Sequence, residues 1–482
     1  MSTSPLTIPR PLLNPGRSLP FLLAAGAAAL AALFVTVHWT FAATCAVGIL
    51  VLAALENEPF LLSVVFLVPV SWVLILDLPI RDVATTARLL VVVGFFLGRL
   101  FRGSVELGKL LRIPISWASL LFIAAALASV LLGTEGWTHE SLRTLLRLAS
   151  YVGFYLMVLA WVDSRERLRS VLFTLLASTI VVGAFAILQE IMGGYTSFWL
   201  ALNPPDEGFV QWEGRAPSFL SYANSLAGYL NLLLPFALAC WFRGTKAWKR
   251  LGGWTLLLGT IALACTQSRG GLVAFACVVV FGILHFVQGW RKRMLLISGL
   301  ATLALGFYLL GKAVSPGRLG EVEDADAAFR LLLWGTAWNL FLGSPFHGVG
   351  LGNFQNLYGS YIHLSWIPAA QYGVHNLYLH LLSETGLLGF TVFFVLLLIV
   401  AREGRRQMRS AQDFLGNALG FGVLGAIAAM LVHGFVDFVM EASSGFGTMF
   451  WICLALLAAN SRISAVGVRA AVLVRHAPPI AR

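Results

Sequence analysis

Apolar runs of membrane-crossing length recur along almost the whole chain, separated by short basic and polar loops. A helix needs about 20 mostly apolar residues to cross a hydrocarbon layer about 30 Å thick. Fourteen runs approach that length, near 20–37, 40–55, 59–76, 84–101, 114–132, 143–162, 170–189, 221–242, 250–266, 270–288, 294–311, 376–401, 413–433 and 444–460. The second and the last are short, so the pattern predicts 12 to 14 spans. Backbone polar groups in lipid must bond one another, which a continuous helix achieves. The expected fold is an all-α polytopic membrane protein.

The pattern is interrupted in three places. Residues 190–220 are rich in aromatics, glycine and proline, as suits an interfacial loop. A short polar turn, TQSRGG, falls at 266–271. The longest interruption is 312–375, where Asp324 is placed to cap a helix running to about Leu342. Ala328, Leu331, Leu332, Gly335 and Trp338 share one side of that helix, so it is expected to lie on the membrane or on the bundle. The division expected is a tail over 1–18, a bundle over 19–311, a large loop over 312–375, three further spans within 376–460 and a basic tail over 461–482. The N-terminal stretch lacks a short apolar core followed by a small-residue cleavage site, so the first run is expected to be a retained span.

Composition agrees with the bilayer as main solvent. The chain of 482 residues is 59% hydrophobic and 11% charged, whereas a soluble chain is roughly a quarter charged. The net charge of +11 does not mark a nucleic-acid binder, because the cations sit in short loops and form no continuous basic face. The five cysteines lie in or beside apolar runs without metal-type spacing, and read as small core residues.

The loops also give an orientation, since lysine and arginine concentrate on the cytoplasmic side. With the N-terminus cytoplasmic, 24 of the 33 cations fall in cytoplasmic segments and both termini lie inside. The remaining nine, Arg215, Arg269 and Arg330 among them, fall on or near the outer side and require a reason to be there. Arg269 follows Gln267-Ser268 at a helix start, where both the dipole and the loop bias oppose a cation. It either faces an anion or reaches lipid phosphate. Arg215 stands in a long outer loop just before a span, and Arg330 on the amphipathic helix. Guanidiniums converging there would hold a diphosphate by paired hydrogen bonds.

His375 is the candidate base, at the outer boundary of a span, where neutral imidazole is suited to take a proton. The bland alternative is an interfacial histidine bonded to a carbonyl. Asn376 and Tyr378 are close enough in sequence to orient a hydroxyl, or they cap and anchor the helix. His380 and Glu384, four apart, pair structurally. His433 and Asp437 have the same spacing and form either a hydrogen-bonded dyad lining a cavity or a satisfied polar pair. GVGLGNF at 348–354 looks like a glycine fingerprint but lacks the strand–turn–helix setting of a dinucleotide site, so close backbone packing is expected. Glu321, Glu323, Asp324 and Asp326 read as a solvated helix start and not as metal ligands. No cofactor is expected.

Several of these segments resemble, in order, the O-antigen ligase and O-antigen polymerase superfamily: GRAPSFLSYANSLAGYL, TQSRGGLVA, RLLLWGTAWNLFLGSPFHGVGLGNF, HNLYLHLLSETGLLGF and HGFVDF. The resemblance implies a bacterial inner-membrane glycosyltransferase with its site facing the periplasm. It implies inverting, metal-independent transfer of a glycan from undecaprenyl diphosphate to an acceptor hydroxyl. Arg215 and Arg269 would hold the diphosphate, and His375 would take or position the acceptor proton. A ligase would use lipid A–core as acceptor, whereas a polymerase would extend the carrier-linked chain. A transporter of the lipid-linked glycan is the reading from another class.

Overall fold

The computed structural model describes residues 39–70, 83–104, 106–192, 215–220, 222–314, 321–361, 373–410, 414–438 and 444–475. These residues form helices and no strands: α1 Trp39–Ala54, α2 Glu58–Leu67, α3 Val83–Phe101, α4 Leu107–Leu111, α5 Pro114–Leu132, α6 His139–Trp161, α7 Arg165–Ile191, α8 Ala223–Arg243, α9 Lys246–Cys265, α10 Arg269–Phe286, α11 Trp290–Val314, α12 Glu321–Gly343, α13 Phe354–Tyr361, α14 Leu377–Ser410, α15 Phe414–His433 and α16 Ser444–Arg475. The protein is an all-α polytopic membrane protein. Among the described residues nine helices are long and apolar enough to cross a bilayer, fewer than the fourteen runs counted in the sequence. Each run after the first coincides with a helix, but those near 40–55 and 59–76 give helices of only 16 and 10 residues. The first run lies outside the described residues.

Helix starts follow the sequence chemistry. Thr138 and Ser141 make a reciprocal capping box at α6. Ser164 and Ser268 accept from the first turns of α7 and α10. The start of α12 was expected at Asp324, yet the helix begins at Glu321.

Buried leucine and aromatic side chains centre on α8, which packs against α9 and α15; α14 and α16 complete the core. Helices in lipid gain little from hydrophobic burial, so close backbone approach and dispersion hold them together. At the α8–α15 crossing, a Cβ added at Gly422 would stand 2.3 Å from the Phe236 ring, and one at Gly425 2.7 Å from Pro235.

The run read as one span at 376–401 is two helices joined at a kink. Gly386 has φ 62° and ψ −167°, a backbone conformation closed to residues with a Cβ. The kink leaves backbone groups without helical partners, and the GSPFHGVG stretch supplies them. Leu387 N–H and Leu388 N–H donate to the Pro345 and Phe346 carbonyls (2.8 and 3.1 Å), while Ser383 and Glu384 carbonyls accept from Val349 and Gly350 N–H (2.9 and 3.0 Å). The Glu384 carboxylate accepts Gly352 N–H at 2.7 Å and Phe354 N–H at 3.0 Å, and lies 3.3 Å from His380 Nε2. The glycines of GVGLGNF thus permit contact with α14. A Cβ at Gly348 would stand 2.4 Å from the Glu384 carbonyl carbon.

Above the kink sits a small cap with its own core. Leu333, Ala337 and Leu340 of α12 pack with Val349, Phe354, Tyr358 and Val374. The face of α12 turned inward is therefore not the Ala328–Leu331–Leu332–Gly335–Trp338 stripe, which is exposed. Thr138 Oγ1 donates to Asn353 Oδ1 at 2.6 Å and ties the cap to the start of α6.

Candidate functional site

The site lies where four sequence-distant segments meet: the stretch before α8, the α9–α10 turn, the start of α14 and the turn after α15. Asp437 is at its centre, with 2% of its side chain exposed. Three donors surround the carboxylate. Asn224 Nδ2 donates to Oδ2 at 2.6 Å, Phe438 N–H donates to Oδ1 at 2.8 Å, and His375 Nδ1 lies 3.2 Å from Oδ1. Burial alone would push this carboxyl upward. The hydrogen bond from His375 and the charges of His375, His433 and Arg330 outweigh it and hold the group below the usual carboxylate range. An ionised carboxylate only accepts, so Nδ1 of His375 carries the hydrogen, and in the neutral ring Nε2 is the acceptor. His375 is 29% exposed, so the ring is reachable while its orienting partner is buried.

The network continues to Arg215. Asn224 spends its amide on Asp437, so its oxygen accepts Arg215 Nη2 at 2.9 Å. Arg215 Nε donates to the Thr266 carbonyl at 2.9 Å, and Ala216 N–H to the Cys265 carbonyl at 3.2 Å. The loop bearing Arg215 is thereby fixed to the turn bearing Arg269. Arg269 is the first residue of α10 and is exposed. The next residue, Gly270, allows α10 to approach the Asp437 segment: a Cβ there would stand 2.4 Å from Val436 Cγ2 and 2.9 Å from His433 Cδ2. Arg330 reaches over from α12 and donates from Nη1 to the Val436 carbonyl at 2.9 Å.

Ser218, Gln267 and His375 have φ of 55°, 51° and 51°, left-handed values rare outside glycine. Each costs about 1–3 kcal/mol and persists only where its surroundings enforce it. Ser218 shows the enforcement, with its N–H donating to Gln189 Oε1 at 2.8 Å and its hydroxyl to the Val182 carbonyl at 2.7 Å. Such residues collect at functional sites, and here three belong to one neighbourhood.

Not every expected residue points into the site. Asn376 accepts from Tyr378 and Leu379 N–H at 3.0 Å and donates to the Phe435 carbonyl at 3.0 Å, so it caps the helix. Tyr378 donates its hydroxyl to the Leu431 carbonyl at 2.8 Å and packs its ring on Phe394 and Phe435, which makes it an anchor. The four-residue spacing of His433 and Asp437 suggested a bonded pair, but Asp437 bonds His375 instead. Helix α15 ends at His433, and the turn that follows aims the carboxylate away. His433 Nε2 lies 3.5 Å from Ser268 Oγ. His433 and Asp437 do line one cavity of about 20 Å³ with Asn231, Leu377 and Phe446, room for about one water. Asn224 escaped sequence reading, although it lies within the SYANSLAGYL segment. Among the described residues no group of three His, Cys, Asp or Glu side chains could hold a metal ion.

The described residues form a multi-span bundle with a polar site in which a buried carboxylate orients a histidine beside several arginines. Residues 254–394, less than a third of the chain, match the family model described as O-antigen ligase. No curated protein matches the chain. The matched segment contains Arg269, Arg330 and His375. Arg215, Asn224 and Asp437 lie outside it and reach it in space. A membrane function of the O-antigen ligase or polymerase type goes with this family.

Proposed function

We propose that the protein is a bacterial inner-membrane glycosyltransferase of the O-antigen ligase type. It transfers a glycan from undecaprenyl diphosphate to a hydroxyl of lipid A–core on the periplasmic face. The observation that carries this reading is the connected chain His375–Asp437–Asn224–Arg215, with Arg269 and Arg330 beside it.

The chemistry follows from the roles these groups can take. Asp437 holds the His375 ring with Nε2 free to accept the proton of the attacking hydroxyl and stabilises the imidazolium that results. The hydroxyl oxygen forms the new bond to the anomeric carbon from the face opposite the diphosphate, so the configuration inverts. The bond to the diphosphate breaks, and its electron pair leaves with the phosphate oxygen. Arg215 and Arg269 neutralise the charge that grows there. The diphosphate is already a good leaving group, so positioning and charge stabilisation make up most of the task.

A polymerase would use the same groups on a carrier-linked acceptor. Purified protein in liposomes, given an undecaprenyl-diphosphate oligosaccharide with or without lipid A–core, separates the two. Single transfer that requires lipid A–core, lost in His375→Ala, is the expected result. A ladder made without that acceptor would mean a polymerase. No transfer with matched native substrates would overturn enzymatic function and favour transport of the lipid-linked glycan.

A further inference from the structure

The outward face of α12 is apolar over several turns. Leu331, Leu332, Trp338 and Leu342 are 63%, 46%, 45% and 58% exposed, with exposed Ala328 and Gly335 between them. At 3.6 residues per turn these positions form one stripe. The opposite face is committed, since Leu333, Ala337 and Leu340 fill the cap core and Arg330 bonds the Val436 carbonyl.

The stripe joins a surface of known character. Just beyond α12, Phe346 is 73% exposed, and its carbonyl accepts Leu388 N–H at 3.1 Å. Leu388 follows the Gly386 kink within α14, a helix apolar enough to cross a membrane, and Leu387, Leu388, Val395 and Leu398 form an exposed apolar flank. Phe346 therefore connects the end of the α12 stripe to the exposed apolar flank of a membrane-spanning helix. A large apolar patch unbroken with a lipid-facing helix would be costly in water and is favourable among acyl chains.

We propose that α12 is an interfacial helix whose Leu331–Trp338–Leu342 stripe is embedded in the acyl chains of the leaflet at the His375 end of the bundle. The embedded face sets the depth of the site. Its partner is bulk lipid hydrocarbon and not a second protein.

This inference needs only the membrane fold and holds whether or not the protein transfers glycans. The test uses nitroxide labels on single cysteines at Leu331, Trp338 and Leu342. The full-length chain carries no other cysteine and is reconstituted in phosphatidylethanolamine–phosphatidylglycerol vesicles. Glu135→Cys, in an exposed loop, is the aqueous control, and Leu398→Cys is the lipid control. Collision rates with oxygen and with a water-soluble nickel chelate are read at each site. At all three sites the expected oxygen-to-nickel ratio exceeds that of Glu135→Cys and approaches that of Leu398→Cys. Ratios matching Glu135→Cys would overturn the proposal by leaving the stripe in water. Low collision with both reagents would overturn it by showing a protein cover.

Discussion

Asp437 is a buried carboxyl kept charged by what surrounds it, which gives it two measurable signatures. Its folded-state value is lowered relative to the unfolded chain. The stabilisation it provides is therefore fully present above the unfolded value of about 3.9 and is lost as pH falls toward the folded one. The melting temperature of the detergent-solubilised protein should exceed that of Asp437→Asn by a constant margin above about pH 5, and the margin should shrink below about pH 4. A margin unchanged down to pH 3 would mean the carboxyl is not held charged by His375 and its neighbours. His375→Ala should lower glycan transfer by about 10² to 10⁴, the usual worth of base assistance, while leaving donor binding in place. At this scale the sequence was only partly readable. The candidate histidine and arginines stood out because cations and imidazoles are rare in apolar sequence. The bond between His375 and Asp437 did not, because an i, i+4 rule assumes a helix that continues, and α15 stops at His433. Asn224 gave no signal, since an asparagine in the first turn of a span is ordinary until its partners are known.

The kink in α14 shows how an element can be found from sequence and still be misread. An apolar run with two glycines, Gly386 and Gly389, looks like a continuous span. Only the GSPFHGVG stretch, distant in sequence, makes the break at Gly386 affordable by satisfying the opened backbone. Gly386→Ala should therefore destabilise the protein by about 1–3 kcal/mol from the left-handed φ alone. The contact with Phe346, 2.4 Å from such a Cβ, adds to that. Thermal unfolding in detergent measures the loss, and a variant as stable as the parent would mean the kink is not enforced. Glu384 makes the other half of the joint. Glu384→Ala leaves Gly352 and Phe354 N–H without their acceptor, at about 1–3 kcal/mol for each buried donor. Limited proteolysis between residues 344 and 354 should accelerate in this variant, and more than in Glu384→Gln, which keeps an acceptor.

At the scale of the whole molecule the membrane class was plain from hydropathy, because spanning requires length and little else. What hydropathy missed was the cap core, because Leu333, Ala337 and Leu340 meet Val349, Phe354 and Val374 through contacts rather than period. The basic loops imply a sidedness that chemical labelling can check. Glu135→Cys and His139→Cys, exposed at the His375 end, should react in intact cells with a membrane-impermeant maleimide. Lys249→Cys and Arg291→Cys should react only after the membrane is opened. The opposite pattern would put the site in the cytoplasm. The two ends also differ in construction. Away from the site, Glu56 takes a bidentate grip from Arg99 at 2.9 Å and a further bond from Arg102, a staple between α1–α2 and α3.

The site draws its groups from residue 215 at one extreme to residue 437 at the other, and α16, among the most buried spans, comes later still. During synthesis Arg215 and Asn224 therefore enter the membrane well before their carboxylate, and His375 precedes it by 62 residues. Asp437 arrives only after α15 has cleared the translocon. Completion of the site then waits for the turn after α15. A ribosome stalled before that turn leaves a bundle that has its arginines and nothing to orient its histidine.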